Sequence, residues 1–73
     1  MLGRQPGHLM EVHAVDIHGS KFYDLVFALD ASPEHARSSR IGQESVYENP
    51  HAGDAVTLHL VLGQVTKVER REV

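Results

Sequence analysis

From Gly53 to Arg70 the chain alternates with a period of two, and that pattern leaves it little freedom. After the Gly53-Asp54 turn signal, Val56, Leu58, Leu60 and Leu62 fall on one side, and Ala55, Thr57, His59 and Val61 on the other. Alternation over this length specifies a half-buried β-strand. Gly63 interrupts the run, and Val65-Thr66-Lys67-Val68-Glu69 resumes as a second strand. Pairing Val61 with Val65 across a loop of Leu62-Gly63-Gln64 sets Leu58 opposite Val68 and Leu60 opposite Thr66. His59-Lys67 and Thr57-Glu69 then share the polar face. A two-residue turn at Gly63-Gln64 would instead set Lys67 and Glu69 against the leucines. A one-residue slip exchanges the faces completely, so burial selects the first register. Gly63 supplies the left-handed position of a bulged loop.

Upstream, residues 1–7 contain Gly3, Pro6 and Gly7 without periodicity and read as a flexible lead-in to a single domain over residues 8–73. His8 to His18 is the first strand. Its apolar residues change face near Ala14-Val15, which predicts a bulge or strong coil there. Gly19-Ser20 reads as a glycine-first hairpin turn, followed by a strand from Lys21 to Asp30. Folding about that turn sets Ala14 against Leu25, Val12 against Phe27 and Met10 against Leu29 as one core layer. The same register sets Ile17 against Phe22 and His13 against Val26 on the opposite face. Ser32-Pro33-Glu34 has helix-start chemistry but no apolar anchors behind it, so a single turn or loop is expected. Arg37 to Ile41 is a short third strand. Gln43 to Glu48 is a short helical turn, stopped by Asn49-Pro50 because the residue before proline avoids the α region.

A chain of 73 residues with 41% hydrophobic and 23% charged residues reads as a single small globular domain or part of one. Domains of this size bury only about 60% of their unfolded surface. There is no cysteine to brace the core, and the formal charge of −3 offers no global attraction to nucleic acid or anionic membrane. No apolar run approaches the ~20 residues that span a bilayer, so no direct membrane insertion is expected. Cysteine-free composition fits a cytoplasmic location, with a soluble domain of a membrane-anchored protein as the alternative. Five short strands with a helical turn between the third and fourth predict an all-β fold, a small five-stranded barrel. That order is similar to the oligonucleotide/oligosaccharide-binding (OB) fold. An SH3-like barrel is the alternative, although its helical turn usually lies between the last two strands.

Six histidines are the most unusual feature of the composition. His8 and His18 share a face but would lie about 33 Å apart in an extended strand, so one strand cannot assemble a metal triad from them. No His-x-x-x-His spacing occurs, and the histidines read as solvated or rim residues rather than metal ligands. Asp30, Glu34 and His35, like His51 and Asp54, fall at turns where charged residues are ordinary. No nucleophile motif or phosphate-cradling glycine loop is present, so no catalytic residue and no cofactor are assigned. Single-stranded nucleic acid is the ligand class suggested by the fold. The outward residues of the second strand, Phe22, Asp24, Val26 and Ala28, lack the basic stripe that binding requires, and Arg37 and Arg40 are the nearest cations. The expected function is therefore a non-catalytic binding or assembly module. Its partner is a protein or a second copy of the chain, and its face carries Val15, Ile17, Phe22, Val26 and His13, with Val61 and Val65 on the last hairpin.

Overall fold

The computed structural model describes the backbone of residues 2–71 and the side chains of residues 3–71. Five antiparallel strands form one sheet: β1 (Leu2–Ile17), β2 (Ser20–Leu29), β3 (Arg37–Gly42), β4 (Ala55–Val61) and β5 (Gln64–Arg70). Their spatial order is β3-β2-β1-β4-β5. A 3-10 turn at Gln43–Ser45 occupies the expected position between β3 and β4. The sheet curls until Cα atoms of β3 and β5 come within 8 Å, and the isolated parallel bridge Val46–Val68 reaches towards closure, but no ladder joins the two strands among the described residues. It is an open sheet, not the closed barrel predicted from the strand count.

β1 organises the sheet. Residues 2–8 pair with β4, residues 7–17 pair with β2, and Gly7 and His8 are shared by both ladders. Residues 2–7, expected as a lead-in, are therefore strand, and their unpromising composition serves that role. Pro6 O accepts a hydrogen bond from Asp30 N at 3.0 Å just past the end of β2. The donor that proline lacks faces that same side, away from β4, so no bond of the β1–β4 ladder is lost. At Gly7 an added Cβ would lie 2.6 Å from Ala28 O and 2.9 Å from Leu58 Cδ1. The absence of a side chain lets β2 and the core approach where β1 changes partners.

The change of face in β1 occurs at Met10 rather than at Ala14-Val15. Leu9 pairs with Phe27 and Glu11 with Val26, leaving Met10 as the bulged residue, 49% exposed. Leu9 takes the core place expected for Met10 and is 1% exposed. The β1–β2 register also differs by two residues from the expected one, so Val12 faces Leu25 and Ala14 faces Tyr23. The cause is the turn, which is His18-Gly19 with φ of 51° and 85°, the signature of a type I′ hairpin. Asp16 Oδ1 accepts the Gly19 N–H at 3.0 Å and fixes it. A shift of two preserves the faces, so Leu25 and Phe27 still point inward.

The last hairpin keeps the predicted pairs Leu58–Val68, His59–Lys67 and Thr57–Glu69. Its tip differs. Leu62-Gly63 is a two-residue turn with φ of 51° and 79°, and Thr66 bulges out, donating to His59 O at 3.3 Å. Val65 thereby pairs with Leu60 and packs against the core instead of joining Val61 outside. The core consists of Leu9, Leu25, Phe27, Ile41, Val56, Leu58 and Val68, with Val12, Tyr23, Leu29, Val46, Tyr47 and Val65 packed around it.

Candidate interaction face

The outer side of β1, β2 and β3 is built of three cross-strand rows. The register sets Val15 beside Phe22 and Gly42, His13 beside Asp24 and Arg40, and Glu11 beside Val26 and Ser38. Ile17 is paired with Ser20, which leaves it diagonal to Phe22 rather than opposite as expected. Val15, Ile17 and Phe22 form a half-buried apolar group at the hairpin end of the sheet. Val26 stands apart from them across the charged middle row, bordering a shallow concavity of about 500 Å³ that His13, Asp24, Ser38 and Arg40 also line.

The middle row is electrostatically satisfied. Arg40 Nε and Nη2 donate to the two carboxylate oxygens of Asp24 at 2.6 and 2.9 Å. This fork-to-fork geometry is the strongest a guanidinium makes with a carboxylate. It holds the Asp24 carboxyl below its ordinary range and raises Arg40. His13 Nε2 lies 3.0 Å from Glu11 Oε1 on its own strand. The pairing of Asp24 with Arg40 had no sequence signal, because nothing in the short polar β3 fixes its register against β2.

Of the residues expected on one continuous face, the structure brings together Ile17 and Phe22, with Val15 beside them, and sets His13 in the next row, with Val26 beyond it. Val61 is elsewhere: it pairs with Leu2, at the opposite end of β1 from Ile17, and is 37% exposed beside Leu62, which is 80% exposed. Val65 belongs to the core side, as described. These residues therefore do not form one continuous patch.

Three further polar clusters lie away from these rows. His59 Nε2 is 2.6 Å from Glu69 Oε1, and Lys67 Nζ is 3.7 Å from Glu69 Oε2. The histidine contact first, and the lysine charge second, hold the Glu69 carboxyl low. Asp30 accepts from both ends of the fold, with His8 Nδ1 at 2.9 Å and Arg71 Nη1 at 3.2 Å. Tyr47 donates to Asp54 Oδ2 at 2.5 Å, and the His51 N–H reaches the same oxygen at 3.0 Å. Burial, then this hydrogen bond, raises the Tyr47 phenol above its ordinary range. Among the described residues no three histidine or acidic side chains gather as a metal site would require, and no helix is long and apolar enough to cross a membrane. Comparisons with family models, curated proteins and solved structures gave no match.

Proposed function

We propose that this chain is a small, non-catalytic binding or assembly module of OB-like architecture. It docks a protein partner, or a second copy of itself, on the outer face of β1, β2 and β3. The OB fold is a five-stranded, partly open Greek-key barrel. The near approach of β3 to β5, with the helical turn between β3 and β4, supports that subtype over an SH3-like one. A cytoplasmic setting, expected from the cysteine-free composition, belongs to the same proposal.

The observation that carries the reading is the cluster of Val15, Ile17 and Phe22, half-exposed together beside a charged row in which Arg40 is matched by Asp24. Leaving large apolar groups half in water forgoes part of the ~1.5–3 kcal/mol apiece that full burial supplies, and a partner surface recovers it. Nucleic acid is the poorer fit. Arg40 is consumed by Asp24, and Tyr23 is turned towards the core rather than outward for base stacking.

Phe22→Ser tests the proposal. The variant should keep its circular dichroism spectrum yet weaken self-association or partner capture at least about tenfold, the scale of losing an interface anchor. Sedimentation velocity over a concentration series reads the self-association arm. A variant that unfolds would place Phe22 among the core residues and overturn the assignment.

A further inference from the structure

The seam between β3 and β5 is held at one end by the Val46–Val68 bridge and at the other by Arg37. Arg37 pairs with Phe27, on the core side of β3, and its guanidinium carbon lies 5.5 Å from the centroid of the Phe27 ring. Nη2 donates to Gly63 O at 2.9 Å, across to the β4–β5 turn. Ring and carbonyl together immobilise the head group, since a guanidinium over an aromatic face is attracted by the ring quadrupole. Arg37 is half-buried, yet no carboxylate comes within ion-pair distance among the described residues. Arg40 and Arg71, by contrast, are matched to Asp24 and Asp30. A guanidinium carries five N–H donors, and among the described residues this one makes a single hydrogen bond. The remainder border a polar concavity of about 360 Å³ that Ser39, Arg40 and Gln64 also line.

We propose that this concavity is a carboxylate-binding site that takes an acidic side chain from an extended segment of a protein partner. A fixed, planar, uncompensated guanidinium is matched in shape and charge to one carboxylate. The free backbone edges of β3 and β5 flank the concavity and can hydrogen-bond the main chain that brings the carboxylate in. With Arg40 held by Asp24, the one cation left available among the described residues of the concavity suits one carboxylate. A nucleic-acid backbone presents a phosphate at every step and calls for a row of cations, which this seam lacks. The proposal relies on the protein-partner reading only for the kind of molecule that carries the acid. Arg37 and Phe22 stand on opposite faces of the sheet, so the two tests can fail separately.

The test is a titration of the isotopically labelled protein with a capped glutamate hexapeptide at low salt, followed by amide NMR, with a glutamine hexapeptide as control. Saturable shifts confined to Arg37, Ser39 and Gln64 are expected with the first peptide and absent with the second. Arg37→Gln should abolish them, and Arg37→Lys, which keeps the charge but loses the fork, should weaken binding about tenfold. If Arg37→Gln loses its folded spectrum, Arg37→Lys decides. Shifts that never saturate, that spread over the whole surface, or that survive Arg37→Gln overturn the site. Tighter binding of an oligothymidylate than of the glutamate peptide overturns it in favour of nucleic acid.

Discussion

Leu58 and His59 are neighbours in β4 with opposite surroundings. Leu58 is 0% exposed, wedged against Gly7 and paired with Val68, whereas the His59 side chain retains 26% exposure and meets Glu69. Leu58→Ala should cost about 2–5 kcal/mol, because it removes buried methyl groups and leaves a cavity. His59→Ala loses one largely solvated pair and should cost under about 1 kcal/mol. Urea denaturation of both variants checks the order, and a more damaging His59→Ala would reverse the facing of the strand. Asp54 offers a second residue-level test. The Tyr47 hydroxyl first, and the His51 N–H second, hold its carboxyl below the ordinary aspartate range. A depressed carboxyl contributes stability that is fully present above the unfolded value of about 4 and is lost as the pH falls through the folded value. Tyr47→Phe removes the larger cause. Carbon-13 NMR should then show the Asp54 midpoint move upward, and the acid-unfolding curve should lose part of its slope below about pH 4. An unmoved midpoint would mean that the tyrosine contact does not form in solution.

At the scale of the element, β1 contains its own control. Gly3 and Gly7 both lie in the half that pairs with β4, but a Cβ on Gly3 would meet nothing within 4 Å, while one on Gly7 would meet a backbone oxygen at 2.6 Å. A main-chain oxygen in a ladder cannot yield as a flexible side chain can. Gly7→Ala should therefore lower the thermal midpoint by several degrees, the shift that follows from about 1–3 kcal/mol of overpacking. Gly3→Ala should leave it unchanged or slightly raised. Equal effects at the two positions would remove the close approach of β1 and β2 as an explanation. The hairpins also mark how far elements could be read from sequence. Outer pairs such as Leu58–Val68 were legible because a face swap would bury Lys67 and Glu69. The tips were not, because His18 and Leu62 adopt positive φ values of 51° in positions where glycine or asparagine is the usual signal. A side-chain acceptor, Asp16, replaces that signal in the first turn.

For the molecule as a whole, the all-β class and the count of five strands followed from alternation and turn residues, but the order β3-β2-β1-β4-β5 did not. Strand order depends on which edges meet, and the half of β1 that joins the two hairpins is written in Gly3, Pro6 and Gly7, residues that carry no periodic signal. The candidate face was legible in part for the same reason. Ile17 and Phe22 were placed outside because an even shift in register cannot turn them over, whereas Val65 was turned inward by a one-residue bulge at Thr66 that the sequence does not announce. Arg37 was legible only as a loose cation, since its meaning depends on Phe27 and Gly63 arriving from distant parts of the chain.

The pairing of Leu2 with Val61 also sets the order in which the molecule can assemble. The two hairpins close over short loops, and such local closures take about 1–10 μs. Neither has a place to rest until the opening residues of β1 find β4 across almost the whole chain. The entropy of closing that long loop must be met before its contacts return anything. The docking of the two hairpins by a strand belonging to both is therefore the expected slow step. Until it occurs, the inner faces of Leu9, Phe27 and Leu58 are open to any other strand in reach.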